Sequence, residues 1–176
     1  MAGNPAPRSD SVDCPLVSHP SLGAPPPDLS AAHPAAAARL RANVEAIAAR
    51  ALEVGIERDP TIRDRYDELG LRQLLRDAGV CLDRIAMSVA SGDTRYPAEW
   101  VEWVAPLYRR RRVPMDDLVT LSEGLRRAIR AYLGPPELAL AEAGIDGAII
   151  RLRWNRRIAG DARKRNRLLA FLYKGA

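Results

Sequence analysis

The sequence predicts an all-α fold, a bundle of about five to six helices with a long last helix behind an N-terminal tail. Three observations carry this. From Ala35 onward apolar residues recur at spacings of three and four, punctuated by Pro and Gly. No stretch alternates apolar and polar residues for long enough to make a strand. Hydrophobic residues are 47% of the chain but aromatics only 5%, which suits aliphatic helix packing better than an aromatic-rich sandwich.

Residues 1–34 hold Pro5, Pro7, Pro15, Pro20, Pro25, Pro26, Pro27 and Pro34 among Ser, Gly and Ala, with no apolar period. Proline removes a backbone donor and fixes φ, so this stretch is predicted to be a disordered tail, with residues 35–176 forming one helical domain. Leu40, Val44, Ile47 and Ala51 then mark an amphipathic helix ending near Gly55. Asp59-Pro60 reads as an N-cap with proline at the first helical position, opening only a short turn that carries Tyr66, because charges there outnumber apolar residues.

From Leu71 to Val89 a longer helix is predicted, with Leu71, Leu74, Leu75, Ala78, Leu82, Ile85 and Val89 on its stripe and Ser91-Gly92-Asp93-Thr94 as its stop. Pro97 opens the next helix, whose inner face is read as Trp100, Trp103, Val104 and Leu107. It closes on Arg109, Arg110, Arg111 and Arg112, cations at the negative end of the dipole. Val113-Pro114 ends it, and Pro114 starts the following helix, with Asp116 and Asp117 at its positive end. Leu118, Leu121, Leu125, Ile129 and Leu133 are its stripe, down to Gly134-Pro135-Pro136. Two helices joined by so short a corner are expected to pack as an antiparallel pair. A short segment at 138–143 leads to Gly144. The last helix is predicted from Asp146 to Tyr173, with Ile150, Trp154, Ile158, Ala162, Leu169 and Leu172 on its apolar face.

The composition also excludes chemistry. Both histidines, His19 and His33, fall in the tail, so the folded part is expected to lack the commonest general base and zinc ligand. Cys14 and Cys81 make neither a disulfide framework nor a metal cluster, and Cys81 reads as a buried structural thiol with no imidazole to activate it. Asp116 and Asp117 point about 100° apart on a helix and are read as dipole partners rather than a catalytic pair. No glycine-rich phosphate loop is present. The chain is expected to be non-enzymatic, to take no cofactor or metal, and to show no identifiable small-molecule ligand. With neither a signal segment nor an apolar run of membrane-spanning length, it is expected to be cytoplasmic.

One ordered group of features resembles a known family. A helix ends in the small-residue break Met87-Ser88-Val89-Ala90-Ser91-Gly92-Asp93. A helix with a basic end, Trp100 to Arg112, comes next. It is followed by Val113-Pro114-Met115-Asp116-Asp117-Leu118-Val119 and an aliphatic helix with Arg126 and Arg127. This resembles the N-terminal helical domain of RsbR-type stressosome co-antagonists and PucR-like transcriptional regulators, usefully over about residues 38–133. There a basic helix, a Gly-Val-Pro turn with acidic residues, and a Leu- and Arg-rich helix recur. The resemblance implies a globin-like bundle without haem, usually dimeric, acting as a sensory or protein-interaction module in bacterial signalling or transcriptional control. It makes Arg112, Val113, Pro114, Met115, Asp116, Asp117 and Leu118 a structural motif. The sequence departs from the pattern at Arg112, where the family often has glycine. No STAS, helix-turn-helix or cyclase domain follows the last helix, so such a module would act in trans, be a remnant or do something else.

Two modes of action are therefore expected. One is self-association, as a homodimer, or binding of a protein partner, with Trp100, Trp103 and Trp154 as either contacts or core. The other uses the basic last helix. From Arg151 to Lys174 Asp161 is the only acid, so this segment is strongly positive while the remainder of the chain is slightly negative. Arg153, Arg156, Arg157, Arg163, Lys164, Arg165 and Arg167 are the candidate contacts to a partner, to nucleic acid or to an anionic membrane surface. The alternative reading of the same residues is a solvated helix face.

Overall fold

A computed structural model of the chain describes residues 31–159. Among the described residues there are seven helices and no strand: α1 (Pro34–Ala42), α2 (Val44–Arg58), α3 (Ile62–Arg65), α4 (Glu68–Ser91), α5 (Tyr96–Arg110), α6 (Met115–Ile129) and α7 (Pro135–Ala159). The fold is an all-α bundle. The predicted tail lies almost wholly outside the described residues. His33 does not: its backbone N–H donates to Val89 O at 2.7 Å and it precedes Pro34, the first residue of α1. One histidine therefore lies among the described residues, at the start of α1.

Residue pairs fix the direction of each rod. Arg41 meets Asp83 while His33 meets Val89, so α1 runs against α4. Ala51 lies by Gly124 and Gly55 by Thr120, so α2 runs against α6. Arg130 reaches Glu142 while Arg156 reaches Asp116, so α6 runs against α7. Glu102 pairs with Arg151 and Arg109 with Asn155, so α5 and α7 share a sense. Taking α1 and α2 as one bent rod broken at Asn43, the five rods alternate up and down in chain order. In space they form a ring, α2–α4–α5–α7–α6, with α4 also touching α7 across it.

This arrangement corrects the expected α5–α6 pair. The two helices run in opposite senses but do not lie side by side. Arg112 takes a left-handed conformation, φ 59°. Around it Arg112 N–H donates to Arg109 O and Val113 N–H to Tyr108 O, the paired bonds of a Schellman motif. Pro114, extended at ψ 135°, then sends α6 across to α2. There α6 finds a surface it can approach closely. A Cβ on Gly124 would sit 2.1 Å from Ala51 O, so the backbones are in contact at that crossing.

Other boundaries shift for local reasons. α4 begins at Glu68, ahead of Leu71, because Asp67 accepts the Gly70 N–H at 2.8 Å as its N-cap. Asp59 ends α2, its N–H donating to Gly55 O at 2.9 Å, and also opens the turn into α3, its carboxylate accepting from the Thr61 N–H at 3.2 Å. Gly144 does not stop a helix. α7 passes straight through it, and the missing side chain lets α7 lie against Pro97 and Ser88. The phase of two helices was also misread. α5 buries Pro97, Ala98, Val101, Ala105 and Tyr108, leaving Trp103 and Leu107 exposed and Trp100 and Val104 half-buried. α7 buries Ala141, Ile145, Ala148, Ile149 and Leu152, with Ile150 and Ile158 outside. Ala162, Leu169 and Leu172, predicted on the apolar face of the last helix, lie outside the described residues.

Candidate interaction surfaces

The motif around Pro114 proves to be built over a buried acid. Asp117 has a side chain 0% exposed, held under α3. Arg65 donates to it from Nε at 3.1 Å and Nη2 at 2.8 Å, and the Tyr66 hydroxyl donates at 2.8 Å. Arg65 also reaches Asp59 at 3.0 Å. Asp117 is thus not a dipole partner in solvent but the anchor that pins α3 onto the start of α6. Asp116 does face outward, and it pairs with Arg156 of α7 at 2.5 Å. Met115 and Leu118 are buried beside it, Val113 is half-buried, and Arg112 is exposed.

The interior holds a second polar group. Between α4, α5, α6 and α7 lies a cavity of about 10 Å³, walled by Asp77, Cys81, Trp100, Tyr108, Ser122 and Leu152 among others. That volume takes at most one water. Asp77 shares a hydrogen bond with Tyr108; burial raises its carboxyl above the usual range, against the pull of Tyr108 and Arg111. Burial, aided by Asp77, pushes the Cys81 thiol up to about 12. A thiol that keeps its proton is neither nucleophile nor ready metal ligand. No group of His, Cys, Asp and Glu suited to a metal occurs among the described residues.

On the outside, two kinds of surface stand out. The first is apolar. Trp103 is 84% exposed and Leu107, one turn further along α5, 44%. The sequence pattern flagged Trp103 but assigned it inward, since 100, 103, 104 and 107 make as good a stripe as 97, 101, 105 and 108. The second surface is basic and lies where sequence reading did not place it. Arg58 of α2, Arg126 and Arg127 of α6 and Arg130, the residue just past α6, line an open groove of about 650 Å³ with Glu57 and Glu123. No run of bases signals it, because its two walls are some 70 residues apart in the chain.

The predicted basic helix is only partly in view. Arg153 and Arg157 are exposed, Arg156 is tied to Asp116, and Arg151 pairs with Glu102 at 2.9 Å while largely buried. Arg163, Lys164, Arg165 and Arg167 lie outside the described residues. No helix among those described is long and apolar enough to cross a membrane. No protein-family model matches the chain, and no curated protein is detectably similar to it.

Proposed function

We propose that the chain is a non-catalytic helical regulatory domain that works by self-association through the outer face of α5. The observation that carries this is Trp103, 84% exposed with Leu107 one turn away. A tryptophan side chain carries roughly 150–250 Å² of surface that gains by leaving water, and tryptophan is enriched at the energetic centre of protein interfaces. The neighbouring positions support a contact. Glu99, Glu102, Arg109 and Arg110 are exposed on the same helix, so a polar rim of both signs surrounds the apolar pair. The resemblance read in the sequence over about residues 38–133, to modules that are usually dimeric, points the same way.

Size-exclusion chromatography with light scattering, over a wide concentration range, tests the reading. A mass rising toward the dimer is expected, with Trp103→Ala moving the midpoint about 30-fold higher in concentration, as loss of about 2 kcal/mol at an interface centre requires. A strict monomer at the highest soluble concentration removes self-association. A dimer indifferent to Trp103→Ala removes the α5 face.

A further inference from the structure

The groove between α2 and α6 combines features that a solvated helix face does not need. It is lined by four arginines and two glutamates. Both acids are already engaged: Glu57 accepts from Arg50 Nη1 at 3.1 Å, and Glu123 lies 3.1 Å from Arg126 Nε. Arg126 and Arg130 also reach to α7, to Asp146 and, at 2.9 Å, to Glu142. Arg58 and Arg127, by contrast, are exposed and have no acidic partner among the described residues. They stand on the two walls of one groove. Arg126 Nε, meanwhile, is buried with no hydrogen-bond acceptor, the approach of Glu123 being too oblique to serve. Helix ends favour cations in their last turns, which accounts for Arg58, Arg126 and Arg127 one at a time. It does not account for four of them lining one groove with two left unneutralised.

We propose that this groove binds a small anion carrying more than one phosphate group. The guanidinium fork matches phosphate oxygens in pairs, and an anion between like charges removes their repulsion as well as adding bonds. The two unpaired guanidiniums belong to different helices, so a ligand that uses both has to present anionic groups to each wall. Arg126 and Arg130 are held by Asp146 and Glu142 and therefore present their remaining donors in fixed positions. A phosphate-bearing ligand here would bridge α2 and α6 beside the crossing at Gly124.

Inorganic pyrophosphate is the probe, titrated into the whole chain by calorimetry at constant ionic strength, with melting curves in parallel. The wild type is expected to bind at one site and to melt higher with ligand. The Arg58→Gln/Arg127→Gln variant keeps most of each side-chain stem at exposed positions. It is expected to bind at least about tenfold more weakly while melting unchanged without ligand. The single Arg127→Gln variant decides the same question should the double variant lose helicity. The Arg153→Gln/Arg157→Gln variant, which removes equal charge from the exposed face of α7, is expected to bind as the wild type does. Absence of binding by the wild type at on the order of 1 mM overturns the proposal. Equal weakening by the two double variants overturns it too, since binding would then follow net charge rather than the groove. Monophosphate binding as tightly as pyrophosphate overturns the bridging geometry.

Discussion

Replacing Asp117 by Asn separates two explanations of the Pro114 motif that the sequence alone cannot tell apart. If Asp117 serves the α6 dipole, its charge is worth about 0.3–1 kcal/mol. The structure gives it a different task. Its side chain is 0% exposed and takes three donors, two from Arg65 and one from Tyr66. Removing one partner of a buried ion pair costs about 3–5 kcal/mol. Here the loss is smaller, because Arg65 is 24% exposed and keeps Asp59. A cost of about 2–3 kcal/mol remains, and the new amide turns a donor toward groups that are themselves donors. For a domain of this size that lowers Tm by roughly 10 °C. Asp116→Asn is the control. It breaks a partly exposed pair with Arg156 and is expected to cost under about 1 kcal/mol. Urea denaturation of both variants, with Arg65→Gln and the Arg65→Gln/Asp117→Asn double, gives the comparison. The double is expected to cost at least about 1 kcal/mol less than the sum of the singles. If Asp117→Asn and Asp116→Asn agree within about 0.5 kcal/mol, the buried-anchor account is wrong.

Three further outcomes are expected. Arg112→Gly should stabilise the chain by about 0.5–1 kcal/mol, since a side chain pays about 1–2 kcal/mol for φ 59° and glycine returns part of that gain through its freer unfolded state; a lower melting temperature would contradict this. Gly124→Ala should destabilise by about 3 kcal/mol or more, because its Cβ would sit 2.1 Å from Ala51 O and the two helices would have to part; a near-neutral effect in denaturant titration would show that the crossing is not tight. Asp77→Asn should raise stability at neutral pH. Burial holds the Asp77 carboxyl above its unfolded value, so its ionised form opposes folding above the folded pKa, and that penalty fades as pH falls toward about 4. The difference between Asp77→Asn and wild type should therefore shrink to nothing in acid, and a difference that grows in acid would reverse the assignment.

The helical class and most helix positions were legible because apolar period and Pro or Gly stops act locally. Of the stripe read for α4, Leu74, Ala78, Leu82, Ile85 and Val89 are buried, while Leu71 is half-buried and Leu75 is exposed. What failed was phase and partnership. On α5 two stripes compete, and only the neighbours α4 and α7 decide that Val101 and Ala105 go in while Trp103 stays out. On α7, Gly144 looks like a stop but is a contact with Ser88 and Pro97 that no local pattern announces. The corner at Arg112 was read correctly as an end and a start. Its geometry was not, because a left-handed arginine is chosen by the Schellman bonds around it and not by its own preference. Asp117 is the clearest case: its donors Arg65 and Tyr66 sit about 50 residues upstream, on a short turn whose sequence gives no sign of a partner on α6.

The same long-range pairing moves the electrostatic centre of the molecule. By composition the positive charge belongs to the stretch after Arg151. Folding discounts charges that meet an acid on a neighbouring helix, and in α7 this removes Arg151 through Glu102 and Arg156 through Asp116. Those two positions face α5 and α6, whereas Arg153 and Arg157 face out and keep their field. Between α2 and α6 the balance tips the other way. Glu57 is taken by Arg50, and Glu123, Asp146 and Glu142 serve Arg126 and Arg130, while Arg58 and Arg127, with no acidic partner among the described residues, come from segments with no basic bias of their own. To an anion approaching the described surface, the outer face of α7 and the groove are therefore positive regions of different character. On α7 the charges sit on a convex helix face, screened by salt and interchangeable. In the groove they line a shared volume, where field and hydrogen-bond geometry act together. Binding that survives moderate salt and discriminates between phosphate forms belongs to the groove, and binding that collapses uniformly with salt belongs to the outer face of α7.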